Sequence, residues 1–453
     1  MRNLFDQYSQ PENQLSHALA CCLNEDSRLR SRFVKWATGE RLNGRFIKIV
    51  EQQVPGDEWE DQDDATGLPD VWLYTDDGWA LLIESKVAAK AGASQLRKHQ
   101  ATAIRAKFEK PHILLLTPSP IRVELPSFVT HREWSELYEL LRDRRLQSAW
   151  ATRLSNYLEA IETRWSGKGY HMNGTLTRFD GFKVDDENPY NYREAKRLLR
   201  LAMEELKKRP DLKRLIDPAS TGRGKITGTG GSSVWDFISL RGAHGHEFTR
   251  FPHLTLGVHR DLVGASVTIP NSVRRSIRGK LLGDNFDDFE SVICSISSNF
   301  HKEFGKLPEG IPILYALQRH YKSQSSPGVE DARLWLDLRT AFRQRGSKVK
   351  AQPQWLRAIY DVMSQKRSNI QFGIGMEFRY GTAGLDKRIA LDLIAQSWLC
   401  CRPLLDDVVR LTASFGRVSM HDRGDITESI RRMANLRRHT HTQLKLKLGR
   451  KWR

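Results

Sequence analysis

The stretch 68–86, LPDVWLYTDDGWALLIESK, constrains the fold more than any other part of the chain. Its apolar residues predict two short strands, 71–75 and 79–86, and Asp76-Asp77-Gly78 between them carries the Asp-Gly signal that closes a hairpin. Leu81, Leu82 and Ile83 are apolar without alternation, as in a strand covered on both faces. Side chains alternate in direction along a strand, so Glu84 and Lys86 share one face and Ser85 takes the other. With the turn at Asp-Gly, Asp70 falls opposite the Glu84 end. Two carboxylates and an ammonium then converge at the end of a buried strand, where charge is costly to bury without partners.

A divalent metal is the simplest reason for that arrangement. Mg²⁺ takes hard oxygen ligands and is commonly held by one or two carboxylates together with substrate phosphate. Asp70 and Glu84 suit the ligand role, with the main-chain carbonyl of Ser85 as a third ligand. Lys86 beside them would favour hydroxide over water and stabilise charge building on phosphorus oxygens. Pro69-Asp70, followed after a hairpin-sized gap by Glu84-Ser85-Lys86, resembles the signature of the PD-(D/E)XK nuclease superfamily. The resemblance implies a restriction-endonuclease-like αβββαβ core and hydrolysis of phosphodiesters with Mg²⁺ or, in its place, Mn²⁺. Without further context the same residues read as an exposed turn acid and a strand-end Glu/Lys pair.

The surrounding chain supplies context. A helix over 10–23 is predicted from Leu15, Ala18, Leu19 and Cys22 at i, i+3, i+4, i+7 spacing. Glu12 lies on that inward face. It reads either as the acid of a Ser9-Gln10-Pro11-Glu12 capping box or, as the resemblance implies, as a first-helix glutamate helping to bind metal or its water. A helical stretch over 32–39 and a strand over 45–54 follow. The run 56–64 holds six acids and reads as a solvated loop. After Lys86, a helix over 95–108 is expected with Ser94 as its N-cap. Gln95 and His99 are four apart and share a face. The resemblance implies that Gln95 orients the nucleophile or a phosphate. His99 stands where several branches of the superfamily have tyrosine, and its other reading is a solvent-facing histidine. The run HILLLT over 112–117 predicts a buried strand stopped by Pro118, and 129–134 leads into a helix begun by Ser135, with Leu137, Leu140 and Leu141 inward. Helix, strand, strand, strand, helix, strand is the core order the resemblance implies, over about 9–142.

The length of 453 residues allows roughly two or three domains. A helix over 147–163 closes a nuclease domain assigned to 1–165, the mixed segment 166–189 reads as a linker, and 190–453 reads as a basic α+β domain that binds substrate or regulates. That domain opens with a basic helix over 192–208, whose buried stripe is Ala195, Leu198, Leu199, Ala202 and Leu206. The glycine-rich run 221–233 is no P-loop: Ala219 and Ile226 occupy positions where that motif needs Gly and Ser or Thr. Strands are expected over 235–241, 253–259 and 265–269, and helices over 289–304 and 389–411, the last broken by Pro403. His244, His246, His253 and His259 lack the cysteine or carboxylate that would complete a zinc spacing. Arg274, Arg275, Arg278 and Lys280 form a cluster that either meets phosphates or lines a solvated helix face.

Charge bears on partners. Against 54 acids stand 72 Lys and Arg, a net charge of +18, and the tail 431–453 holds nine of these cations and no acid. This balance favours a polyanion, and a nucleic acid, DNA in preference to RNA, is the expected partner. A ribosomal or membrane-surface protein can show the same balance. No apolar run reaches the ~18 residues of a membrane span, and residues 1–10 lack a signal-peptide core, so a cytoplasmic location away from membranes is expected. Cys21, Cys22, Cys294, Cys400 and Cys401 fit no disulfide framework and are expected reduced and buried. The resemblance also allows a homodimer. Two function classes follow: a Mg²⁺-dependent nuclease, or a nucleic-acid-binding or sensor protein on a nuclease fold that no longer cuts. A role in bacterial defence or restriction rests on analogy of fold alone.

Overall fold

A computed structural model describes residues 4–42, 46–55, 68–88, 92–121, 124–168, 172, 174–220, 222–223, 231–243, 248–322, 328–341, 353–364 and 369–406. The acidic run 56–64, His244, His246 and the basic tail 431–453 lie outside them, as does most of the glycine-rich run. The chain is mixed α/β and divides into two compact units, Met1–Asp180 with Arg193–Leu201, and Gly181–Tyr192 with Ala202–Arg453.

The first unit runs α1 (Pro11–Glu25), α2 (Ser27–Thr38), β1 (Lys48–Glu51), β2 (Val71–Tyr74), β3 (Ala80–Ser85), α3 (Ala93–Arg105), β4 (His112–Thr117), β5 (Val129–Glu133), α4 (Trp134–Leu141) and α5 (Ala149–Lys168). Its five strands lie in sequence order; β1, β2 and β3 pair antiparallel, while β3, β4 and β5 pair parallel. The hairpin is registered Val71↔Ile83 to Tyr74↔Ala80. Gly78 takes the left-handed φ of 87° that closes its loop, a conformation that favours glycine. Every residue of β3 is buried, as the unbroken apolar run requires. Alternation sends Val71, Leu73, Leu81 and Ile83 into a core with α1, α2, α4 and α5, and Trp72, Ala80 and Leu82 into a second core beneath α3.

Several boundaries differ from the sequence expectation for local reasons. Strand β1 covers only Lys48–Glu51, because Gln52 turns to φ 52° and ends the extended run. Helix α1 has Gln10 as its N-cap with no side-chain capping bond and Pro11 in its first turn, so the Ser9–Glu12 capping box does not form. Proline brings no N–H to the first turn, and Glu12 is engaged elsewhere. Helix α3 begins earlier than expected, from extended Gly92, which leaves Ser94 inside the first turn instead of at the cap. Glu133, not Ser135, starts α4, through a reciprocal capping box with Glu136.

The division between the two units falls inside the stretch read as a linker, after Asp180, and the described part of that stretch carries buried anchors. Leu176, Phe179 and Phe182 are fully buried. Within the first unit Glu162 accepts from the Leu176 amide at 2.8 Å and from the Thr177 hydroxyl, and Arg197 donates to that hydroxyl at 2.8 Å. Phe182 belongs to the second unit, where its amide donates to the Leu385 carbonyl at 2.8 Å. The two aromatics, spaced three apart within a polar segment, anchor it to packed surface.

Helix α6 (Tyr192–Lys207) carries residues of both units, and its predicted stripe is buried throughout. The second unit continues β6 (Ser233–Ser239), β7 (His253–His259), β8 (Leu262–Ile269), α7 (Arg275–Leu282), α8 (Phe286–Phe304), β9 (Gly310–His320), β10 (Val329–Asp337), α9 (Leu338–Ala341), α10 (Pro353–Ser364), β11 (Ile370–Arg379) and α11 (Ala390–Cys400). All six strands pair antiparallel in the order β10-β9-β11-β8-β7-β6. Arg278, expected in a phosphate-facing or solvated cluster, is buried over the Phe372 ring and donates to the Met363 carbonyl at 2.7 and 3.0 Å. All five cysteines are free; Cys22, Cys400 and Cys401 are buried, whereas Cys21 and Cys294 are half-buried. His253 is buried with its pKa lowered to about 4 by desolvation, and His259 is exposed.

Candidate active site

The hairpin register, continued one pair beyond Val71↔Ile83, places Asp70 against Glu84 at the carboxyl end of β3. Both fall on the α3 side of the sheet, since Val71 and Ile83 face the other way. Asp70 Oδ2 accepts from the main-chain amide of Ser85 at 2.7 Å. Glu84 is buried to 2 % exposure and receives three donors: Gln95 Nε2 at 2.7 Å and Lys86 Nζ at 2.5 Å on Oε1, and His99 Nε2 at 3.0 Å on Oε2. An ionised carboxylate only accepts, so Nε2 carries the proton that His99 shares.

The two carboxyls titrate in opposite directions. Burial, then the Glu84 charge, pushes Asp70 up to about 7 against the Ser85 amide, Lys86 and the neighbouring Ser16 hydroxyl. Burial also raises Glu84, but the His99 hydrogen bond and the Lys86 ammonium outweigh it and hold its pKa below the ordinary value. One group of the pair is therefore a firm anion and the other is held poised by its neighbour.

Glu12 reaches the same strand end from α1. Its Oε1 accepts from the amides of Val87 at 3.1 Å and Ala88 at 3.2 Å, the two residues after Lys86. Those amides leave the sheet and need an acceptor, which explains why this carboxylate is not spent on its own helix. Ser16, one turn along α1 from Glu12, is buried beside Asp70. The hydroxyl of Ser85 is buried on the α1 side and has no hydrogen-bond partner among the described residues.

Asp70, the Ser85 amide, Glu84, Lys86 and Gln95 are thus brought together, while Glu12 holds the amides of the two residues after Lys86. His99 is wholly buried on Glu84 and is not the solvent-facing residue of its alternative reading. The i, i+4 spacing from Gln95 was its signal, because Gln95 and His99 grip the two oxygens of one carboxylate. Ser16 carried the same signal, four residues after Glu12.

Elsewhere on the first unit, a cavity of about 580 Å³ is lined by Ser27, Arg28, Ser31, Arg32, Lys35, Arg41 and Arg145, with Leu42 and Leu146. Arg28, Arg32 and Lys35 stand four and three apart on α2, which aligns them on one face. Asp143 takes Arg32 at 3.1 Å and Arg145 at 2.7 Å. Among the described residues no helix is long and apolar enough to cross a membrane. No protein-family model matches the chain, and no curated protein matches it.

Proposed function

We propose that the chain is a metal-dependent nuclease of the PD-(D/E)XK kind, hydrolysing phosphodiester bonds in nucleic acid, DNA in preference to RNA. The observation that carries this reading is the convergence of Gln95, His99 and Lys86 on buried Glu84, with Asp70 raised against it. The order of elements in the first unit, with three antiparallel strands before α3 and a parallel strand after it, supports a restriction-endonuclease-like core.

The residues fit a divalent cation. A buried carboxylate offers roughly four acceptor positions, and three donors leave one open on Glu84. Burial, then the Glu84 charge, raises Asp70, and a cation shared between the pair would relieve the part that Glu84 contributes. Asp70 and Glu84 would hold Mg²⁺ or Mn²⁺, with the Ser85 carbonyl beside them. Such an ion supplies Lewis acidity to a phosphodiester oxygen and neutralises charge developing there.

The chain's own groups have separable tasks. Gln95 and His99 fix the rotamer of Glu84, His99 with Lys86 favours its ionised form, and the burial of His99 keeps bulk water off its α3 side. The Lys86 ammonium, already facing Glu84, stabilises negative charge on the attacking oxygen and on the phosphorus oxygens. Glu12 braces the chain immediately after Lys86, which holds that ammonium in register. The basic cavity on α2 supplies favourable potential for a polyanion.

Incubation with circular DNA, linear DNA and RNA, in Mg²⁺, Mn²⁺ or chelator, tests the proposal. Cleavage should require metal, vanish in Glu84→Gln, and fall on the order of 10²–10³ in Lys86→Ala while binding persists. Tight binding without cleavage in either metal would overturn it in favour of a nucleic-acid-binding or sensor protein. Unchanged cleavage by Lys86→Ala would remove this lysine from the mechanism.

A further inference from the structure

A second cluster of ligand-type side chains sits further along α1, where none of the catalytic tasks above needs it. His17 and Cys21 are four apart and share one helix face, a spacing at which two helical side chains hold a single cation. Glu51, the last residue of β1, reaches the same point. His17 Nδ1 lies 3.0 and 3.1 Å from the two Glu51 carboxylate oxygens. Cys21 Sγ lies 3.8 Å from His17 Nδ1 and 3.5 Å from Nε2. One donor atom from each residue falls within 4.8 Å of the other two. In a tetrahedral zinc site with ligands about 2.0–2.3 Å from the ion, neighbouring ligand atoms are roughly 3.3–3.6 Å apart. The His17–Glu51 and His17–Cys21 contacts lie within a few tenths of an ångström of that spacing, and closing the Cys21–Glu51 edge takes a shift of at most about 1.5 Å.

The surroundings favour a cation over a plain ion pair. The Tyr8 ring meets the His17 ring edge-on at 5.3 Å. A His–Glu pair needs no thiol at that point, whereas a bound cation takes the sulfur as a further ligand.

We propose that His17, Cys21 and Glu51 bind one zinc-class cation, at a site distinct from the Asp70–Glu84 carboxylates. Sulfur and nitrogen donors with a single carboxylate select a borderline-soft ion such as Zn²⁺, whereas Mg²⁺ demands oxygen. The ion would tie α1 to β1. Helix α1 carries Glu12 and Ser16, and just past β1 the Gln52 amide donates to the Asp70 carbonyl at 3.2 Å. The tie thus fixes elements on two sides of the carboxylate pair, a positioning role.

The test is metal binding, independent of cleavage. Co²⁺ added to the full chain should produce a thiolate-to-cobalt charge-transfer absorption in the near ultraviolet, and Zn²⁺ should abolish it by displacement. Asp70→Asn should retain the band, which separates this site from the carboxylate pair, whereas Cys21→Ser should lose it. In equilibrium dialysis, Glu51→Gln should weaken Zn²⁺ binding by about tenfold or more. Absence of the band in the unmutated chain overturns the proposal whether or not a variant folds. A band that survives Cys21→Ser in folded protein also overturns it, and leaves His17 and Glu51 as an ion pair. Cleavage assays on that variant then address the nuclease reading separately.

Discussion

Asp70→Asn is expected to stabilise the metal-free protein at alkaline pH while disabling its metal response. In the folded chain the Asp70 carboxyl is raised to about 7 by burial and by Glu84, whereas an unfolded aspartate ionises near about 3.9. The folded state therefore holds the proton more tightly. This contribution to stability is full below about pH 4 and is lost as the pH rises through about 7. That separation corresponds to roughly 4 kcal/mol at most. Asp70 is only half-buried, so solvent screening reduces the expected effect to about 2 kcal/mol. Asparagine carries no charge to ionise, and its Oδ1 can still accept from the Ser85 amide that now lies 2.7 Å from the carboxylate. Glu84 remains in both proteins, so its opposite dependence, stability lost as the pH falls, cancels to first order. Urea unfolding in chelator, at steps from pH 4 to 8, measures the difference. The two proteins should unfold alike near pH 4, and the variant should lead by about 2 kcal/mol at pH 8. If the pair holds Mg²⁺ as proposed, added Mg²⁺ should narrow that lead by binding the wild type alone. Coincident stability across the whole range would refute the raising of Asp70 by burial and by Glu84.

His99→Leu is close to histidine in side-chain volume but removes the donor at 3.0 Å from Glu84 Oε2. Urea melts should show a loss of about 2–3 kcal/mol near neutral pH, and unchanged stability would make His99 a packing residue only. For the basic cavity, Arg28→Ser with Lys35→Ser should flatten the log-log salt dependence of duplex binding by about 0.9 for each phosphate that is no longer neutralised. Anisotropy titrations from low to moderate salt measure that slope, and an unchanged value would assign the cavity no part in binding.

Much of the site was legible because strand periodicity is a local property. Once 71–75 and 79–86 are strands around an Asp-Gly turn, the positions of Asp70, Glu84 and Lys86 follow from alternation and register, and the hairpin adopts that register. The continuous run at Leu81, Leu82 and Ile83 likewise determined coverage on both faces, since each of these side chains enters one of two cores. What sequence could not decide was competition between local and distant partners. Glu12 had a capping role available within four residues, yet two strand-end amides some seventy-five residues away took its carboxylate. His99 had a solvent-facing alternative, which ended when α3 docked its Gln95–His99 face on Glu84. Arg278 read as one cation among four, and only packing against Phe372 with the Met363 carbonyl turned it inward. The mixed composition of 166–189 hid Leu176, Phe179 and Phe182, because three anchors in a polar segment set no helical or strand period. Periodicity fixes which face a residue occupies, while the partner it meets there depends on desolvation and hydrogen bonding between elements that only the folded chain brings together.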